Sequence, residues 1–465
     1  MDRRVVVVGA ARSGVAAARL LAARGAHVTL TDTRTNFPEV EELRALGVAL
    51  ELGGHSPSTL GDADLIVASP GVALEQPVFD ASRARNVETI GELELASRWL
   101  KGRAIAITGT KGKSTTTTLI GRMLSAAGKR VLVGGNIGVP LSAQVDESTP
   151  DTIHVIEASS FQLETTTSFR PWIALWLNFA DDHLDRHPSI DAYAAAKARI
   201  FANQTADDWA VVNADDPAVV ERSTGIAAQR VEFSPSGRAG AAFTVEDEWI
   251  VRRTGTVTRA RHDDIRAGEA ASTGSERLLP TSAIELTGRH MLHNVVAATA
   301  TAWVAGVTPQ AMTAALKGFT GLEHVMEPVA SIGGVRFVND SKATNVEAAR
   351  RSIESFDGGV VAIVGGRFKG GNLRELREPL AARGRAVVAI GEAAQLVRDA
   401  VAGVVPVIDA DSMDEAVSRG YAAAGEDGVV LLAPACASFD WFRDYAERGR
   451  MFKEAVTRLR KTRER

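Results

Sequence analysis

The sequence predicts an α/β fold of three domains, each built on a mainly parallel sheet. Two observations predict it. Short β-branched runs alternate with alanine- and leucine-rich helical patterns, as parallel strands joined by helical crossovers require. In addition, 465 residues exceed what one hydrophobic core serves. The pattern restarts near residues 92 and 320, which predicts domains 1–92, 93–320 and 321–465, each opening on a strand–glycine–helix unit.

Bulk properties exclude several classes. A net charge of −4 gives no basic field for nucleic acid, and the basic end "RLRKTRER" reads as a solvated helix terminus. The single cysteine, Cys436, rules out an internal disulfide and suits a reducing cytosol. The opening "MDRRVVVVGA" has a charged start followed by an apolar run. Arg12 and a glycine turn interrupt that run, so it reads as a core strand. No stretch reaches the roughly 18 apolar residues of a membrane helix.

In the first block, strand Arg4–Val8 turns at "GAARSG" into a helix near Val15–Ala23, followed by strands "HVTLTD" and "DLIVASPG". Gly9 to Gly14 with Asp32 imitates a dinucleotide fingerprint, but Ala11 occupies the second glycine position. A helix start after a glycine turn accepts any diphosphate, so a nicotinamide dinucleotide and a UDP-sugar both stay open. For Asp32, a plain turn cap also stays open.

In the second block, strand "RAIAIT" feeds "ITGTKGKST". A phosphate loop reads G-x-x-x-x-G-K-[ST], and its first glycine would fall at Ile107, so a shorter loop is expected. Gly109 and Gly112 allow the backbone N–H groups to face phosphate, Lys113 neutralises charge, and Ser114 supplies a Mg²⁺ hydroxyl. Residues 115–127 follow as an amphipathic helix with Leu119, Ile120, Met123 and Leu124 on one face. "EASSFQLE" follows strand "TIHVIE", and "FADDHLDRHP" follows "IALWLN", placing polar groups where α/β sheets build sites. Hard Mg²⁺ takes oxygen from Glu157 and Ser114, and His183 adds a nitrogen. Lys197 reads as an ordinary helix lysine. Residues 234–280 suit either hairpins or a loop.

The third block shows strands "GVRFVND", "VVAIVGG", "AVVAIGE" and "GVVLLAPA". "FVNDSKATN" crowds polar groups at a strand end, as a binding loop or a polar turn with a helix cap would.

"TGTKGKSTT" resembles the ATP loop of the Mur ligases and folylpolyglutamate synthases, T-G-T-N-G-K-[ST]-T, with Lys111 in place of asparagine. "E-x-S-S-F-Q-L-E", "N-x-x-D-D-H-L-D", "NDSKATN" and "LLAPACASFDWFRDYAERG" resemble the glutamate-adding Mur ligases, in the expected order. The resemblance implies a Rossmann-like first domain, a central P-loop ATPase and a Rossmann-like third domain. It also implies that Gly109, Thr110, Lys111, Gly112, Lys113, Ser114 and Thr115 bind ATP, with Asn294 and Asp340 contributing. Ser13, Gly14, Asp32, Thr33, Arg34 and Gly71 would contact a uridine diphosphate, and Asn136 the substrate side. Two Mg²⁺ ions would sit on Ser114, Glu157, His183 and a carbamate on Lys197. Thr344, Lys369, Ser438, Phe439 and Tyr445 would receive glutamate, and Lys342 would face the reacting centre.

Four positions depart from the family pattern: Lys111, Met291, Val325 and Arg367. The implied reaction is ATP-dependent amide formation on a UDP-sugar-linked alanine through an acyl phosphate, by a cytoplasmic monomer with small-molecule substrates only. An L-glutamate-adding branch, a folylpolyglutamate synthase-like ligase, a dehydrogenase and a nucleotide-sensing module remain competing expectations.

Overall fold

The computed structural model describes residues 3–182, 186–254, 274–286, 289–368 and 370–463. The chain divides into two compact units, Met1–Phe319 and Thr320–Arg465. The first unit holds two sheets and the second holds one.

The first sheet contains β1 (Arg4–Val8), β2 (His27–Asp32), β3 (Ala49–Leu52), β4 (Leu65–Ala68) and β5 (Thr89–Gly91), all parallel, in the order 3-2-1-4-5. Four consecutive valines make β1 buried on both faces, as a covered parallel strand demands. Chain order reverses beside β1, so the turn at Gly9 and the Ser69–Gly71 turn after β4 flank one crevice.

The central sheet contains β6 (Arg103–Thr108), β7 (Arg130–Gly135), β8 (Thr152–Glu157), β9 (Ile173–Trp176), β10 (Trp209–Asn213), β11 (Gln229–Ser234), β12 (Phe243–Glu246), β13 (Trp249–Arg253) and β14 (Ser275–Pro280). Its order is 14-13-12-11-10-9-6-8-7, parallel from β7 to β12 and antiparallel beyond. The β12–β13 hairpin resolves part of the 234–280 ambiguity. Asp247 and Glu248 turn it with φ of 45° and 63°, the mirror-image geometry that suits twisted strands. The helix Lys113–Ala126 buries Leu119, Ile120, Met123 and Leu124 as its periodicity predicts.

Two carboxylates two residues apart tie the first two sheets together, with opposite electrostatics. Glu94, with a fully buried side chain, accepts the backbone N–H groups of Thr167, Ser168 and Phe169, both hydroxyls of Thr167 and Ser168, and Arg98 at 3.0 Å. Burial alone would raise its pKa, but these donors, the Ser168 hydroxyl foremost, hold it at about 2. Among the described residues Glu92 accepts only the Ser142 N–H, at 2.6 Å, and burial raises its pKa.

The third sheet contains β15 (Glu327–Ile332), β16 (Val335–Asn339), β17 (Val360–Gly365), β18 (Gly384–Ile390), β19 (Val407–Ala410) and β20 (Val429–Leu432), in the order 15-16-20-17-18-19. Only β15 runs antiparallel. Among the described residues, no helix is long and apolar enough to cross a membrane.

Candidate active site

The crevice of the first sheet is a cavity of about 440 Å³ whose lining includes Ser13, Asp32, Thr33, Arg34 and Gly71. Asp32 accepts the backbone N–H groups of Ala10 and Arg34 and the Arg34 guanidinium at 3.0 Å. Burial pushes its pKa up, but the Arg34 side chain and the two backbone donors outweigh that and hold it at about 2. Asp32 therefore stays ionised and pins both the glycine turn and Arg34. Gly14 does not line the cavity. It packs behind the turn, where an added Cβ would lie 1.8 Å from the Gly9 carbonyl.

The phosphate loop follows β6. Ile107 is a buried strand residue, and the turn begins only at Gly109 (φ 151°), closing at Gly112 (φ 80°). Asn178, beyond β9, staples the loop: its Oδ1 accepts Thr110 N–H at 3.0 Å and Lys111 N–H at 2.9 Å, and its Nδ2 donates to Lys111 O at 3.0 Å. Lys113 turns back on Gly109 O at 2.9 Å and Thr110 O at 3.0 Å. The extra cation, Lys111, pairs with Asp182 at 3.4 Å. Ser114 and buried Thr115 occupy the first helical turn, and Asn294 packs over Gly112, 2.2 Å from where a Cβ would stand. Met291 is buried and accepts a weak contact from Asn294 at 3.7 Å.

Lys197, an ordinary helix lysine by pattern and a carbamate carrier by the family resemblance, is 1% exposed. Its Nζ donates to Gly109 O at 2.8 Å and lies 4.5 Å from the Tyr193 ring centroid. Burial, then the neighbouring Lys113 charge, pushes its pKa well below the usual lysine range, shifting the balance towards the neutral amine. Glu157, at the end of β8, accepts Asn136 Nδ2 at 2.8 Å through Oε1, while its buried Oε2 has no hydrogen-bond partner among the described residues. A carboxylate oxygen aimed into a buried polar site without a donor fits a cation. His183 lies outside the described residues. Among the described residues, no three His, Cys, Asp or Glu side chains form a metal-holding group, so Glu157, Ser114 and Lys197 carry the fit.

The second unit gathers its own polar loops at the carboxyl ends of β16, β17 and β20. Asp340 accepts Met326 N–H at 3.2 Å and the Ser352 hydroxyl. Lys342 N–H donates to His324 O at 3.1 Å, and Thr344 N–H to Lys342 O at 2.8 Å. Ala435 N–H donates to Ala343 O at 3.0 Å, bringing the loop of Ser438 beside that of Lys342 and Thr344. Ser438 is buried, whereas Phe439 and Tyr445 are exposed. Arg367 forks onto Glu392 at 2.8 and 3.1 Å. Lys369 lies outside the described residues. The motif reading named neither Asn178, which holds the phosphate loop of the first unit, nor Arg448, which holds the Ser341 and Cys436 loops of the second. Their only signal is a place inside or just after a quoted motif.

A larger concavity of about 1320 Å³ lies at the amino ends of β6, β8 and β9, and none of the predicted site residues lines it. Its size does not make it the chemical site, because the phosphate loop and Glu157 sit at the opposite ends of the same strands.

Comparison with known proteins covers nearly the whole chain. Residues 3–91 match the model for a Mur ligase MurD-like N-terminal domain, 107–302 the Mur ligase middle domain, and 326–436 the Mur ligase glutamate ligase domain. The chain is 47% identical over 457 residues to UDP-N-acetylmuramoylalanine–D-glutamate ligase of Acidobacterium capsulatum, covering 98% of this chain and 96% of the relative. It is 42% identical over 462 residues to the protein of that name from Desulfosudis oleivorans, covering 99% and 97%. The solved UDP-N-acetylmuramate–alanine ligase of Thermotoga maritima shares the fold, with a TM-score of 0.58 at 18% identity over 98% of this chain and all of that one.

Proposed function

Because the chain belongs to the Mur ligase family, we propose that it joins D-glutamate to UDP-N-acetylmuramoyl-L-alanine at the expense of ATP, in peptidoglycan precursor synthesis. The observation that carries this reading is the pairing of a stapled phosphate loop with buried Lys197 and the open oxygen of Glu157. Domains 1–92, 93–320 and 321–465 take the UDP substrate, ATP and the amino acid respectively.

In this reading the substrate's alanine carboxylate attacks the γ-phosphorus of ATP and expels ADP, forming an acyl phosphate. The amine of glutamate then attacks the acyl carbon, phosphate leaves, and the amine proton passes to solvent. An ionised carboxylate is a poor electrophile, and phosphorylation supplies its leaving group. Lys113 offsets charge on the transferring phosphoryl group, in a loop that Asn178 holds by accepting the Thr110 and Lys111 N–H groups. Mg²⁺, two ions in this proposal, would supply further charge neutralisation there, and Ser114, Glu157 and His183 would hold it.

Lys197 completes that set once carbamylated. Its neutral Nζ attacks the carbon of CO₂, loses a proton to water and becomes an anionic oxygen donor. Burial supports this by favouring the neutral amine that the addition requires. Arg34, held by Asp32, and Ser13 bind the diphosphate in the first crevice. Lys342, Thr344, Lys369 and the Ser438–Phe439 segment receive the amino acid, with Lys342 stabilising the tetrahedral intermediate. ATP and a UDP-sugar as co-substrates place the reaction in the cytoplasm.

The test is phosphate release from ATP with UDP-N-acetylmuramoyl-L-alanine, comparing D- with L-glutamate. Release with the D enantiomer alone is expected. Release with L-glutamate alone would keep the ligase and overturn the enantiomer, drawing attention to Val325 and Arg367. Release with neither would sink the substrate assignment.

A further inference from the structure

Arg448 is fully buried, although it sits in the first turn of the helix Tyr445–Arg463, where the helix dipole disfavours a cation. No carboxylate hydrogen-bonds to it in the described structure. Instead Nε donates to Ser341 Oγ at 3.0 Å, Nη2 to Ser341 O at 2.9 Å, and Nη1 to Cys436 O at 3.1 Å. Ser341 is itself buried, and its hydroxyl donates to Tyr445 O at 2.8 Å.

An arginine hydrogen-bonded only to neutral acceptors is costly to bury, and the nearby Asp440 charge offsets only part of its desolvation. Burial accordingly lowers its pKa to about 10. A hydrophobic side chain of similar volume would pack the helix without that cost. What only the guanidinium supplies is a planar fork that meets two loops at fixed separation. Those loops are the ones carrying Lys342 and Thr344 on one side and Ser438 and Phe439 on the other. A third loop is fitted to the same fork: a Cβ on Gly366 (φ 126°) would stand 2.2 Å from Ala437 O and 3.2 Å from Arg448 Nη1. Ala435 also adopts a positive φ of 59°, a strained turn held by the surrounding bonds.

We propose that Arg448 is a positioning residue for the amino-acid substrate, clamping Ser341 and Cys436 so that the Lys342–Thr344 and Ser438–Phe439 segments meet a dicarboxylic amino acid at the right spacing. This rests on the ligase reading above. Arg448 touches no substrate; it sets the geometry of the residues that do.

The test measures KM for glutamate, ATP and the UDP substrate by phosphate release, in the full-length protein and in Arg448→Lys, Arg448→Met and Ser341→Ala. In Arg448→Met, KM for glutamate is expected to rise about tenfold or more, equivalent to about 1.4 kcal/mol. The KM values for ATP and the UDP substrate should stay within about twofold of wild type. Arg448→Lys keeps the charge without the fork and should fall between, and Ser341→Ala should shift the glutamate KM in the same direction. Ser341→Ala keeps the test readable if the arginine variants fail to fold. Unchanged glutamate KM in folded variants, equal change in all three KM values, or failure of every variant to fold would each overturn the proposal. A wild-type protein that releases no phosphate with glutamate would instead bring down the ligase reading itself, and this inference with it.

Discussion

The Nζ of Lys197 donates to the main-chain oxygen of Gly109 over 2.8 Å, and Lys113 reaches the same oxygen at 2.9 Å. Two amines converging on one phosphate-loop carbonyl cannot both be fully charged without cost, and the buried one yields.

Lys197→Ala is therefore expected to lower turnover on the order of 100-fold, as loss of a group ordering a metal site does. Stripping dissolved CO₂ should slow the wild-type protein and leave the variant unchanged. A ¹³C-carbonate NMR experiment should show a carbamate signal in wild type alone; its absence would refute the modification. The sign of the pH effect on stability also follows. With a depressed folded-state pKa, the unfolded chain holds the extra proton, so stability rises with pH from that pKa towards 10.5.

Asn178→Ala removes three hydrogen bonds to the phosphate loop. KM for ATP should rise about tenfold, each bond contributing on the order of 1 kcal/mol with partial re-solvation. Asn178→Asp keeps both acceptor contacts and loses the donor to Lys111 O, so it should fall between. Calorimetric titration with ADP would read both variants, and equal affinity in all three proteins would contradict the stapling role.

The Glu94 and Glu92 pair should respond oppositely to pH. Glu94's pKa is lowered from 4.5 to about 2, so its stabilisation is fully present above 4.5 and lost as pH falls through about 2. That shift is worth about 3 kcal/mol. The Tm deficit of Glu94→Gln should accordingly shrink as pH falls from about 5 to about 3. Glu92's pKa is raised, so its carboxyl favours the folded state at low pH and loses that advantage as pH rises through the folded pKa. Glu92→Gln should be neutral or stabilising at neutral pH. A pH-independent deficit at both sites would overturn the assignment.

Asp32→Asn should raise KM for the UDP substrate about tenfold while leaving KM for ATP unchanged, because one neutralised acceptor weakens a charge-assisted pair that orients Arg34. Steady-state kinetics with each substrate varied separately would check it. A shift in the ATP KM of the same size would point to general loosening.

Much of the site was legible because its chemistry is local. The phosphate loop needs glycines and a lysine within a few residues, and strand periodicity placed it after β6, as the structure does. The hairpin at Asp247–Glu248 was not legible, since its two positive-φ residues are not the Asn-Gly or Asp-Gly pair that usually marks such a turn. Lys197 looked like a surface lysine because the alanines around it fit any helix face. Asn178 and Arg448 were missed because their partners lie 67 and 107 residues away, and no short-range pattern encodes such a contact.

The sequence by itself determined the α/β class, the order of the strands that carry the loops, the glycine turn after β6 and the family resemblance. Each of these rests on periodicity or on groups that must be neighbours along the chain. Only the tertiary structure decided which side chains are buried and which polar atoms meet. Burial shifts the Lys197 amine towards its neutral form, donor count separates Glu94 from Glu92, and a buried fork makes Arg448 a clamp. These are properties of solvation and of long-range packing, which composition and spacing along a chain do not specify.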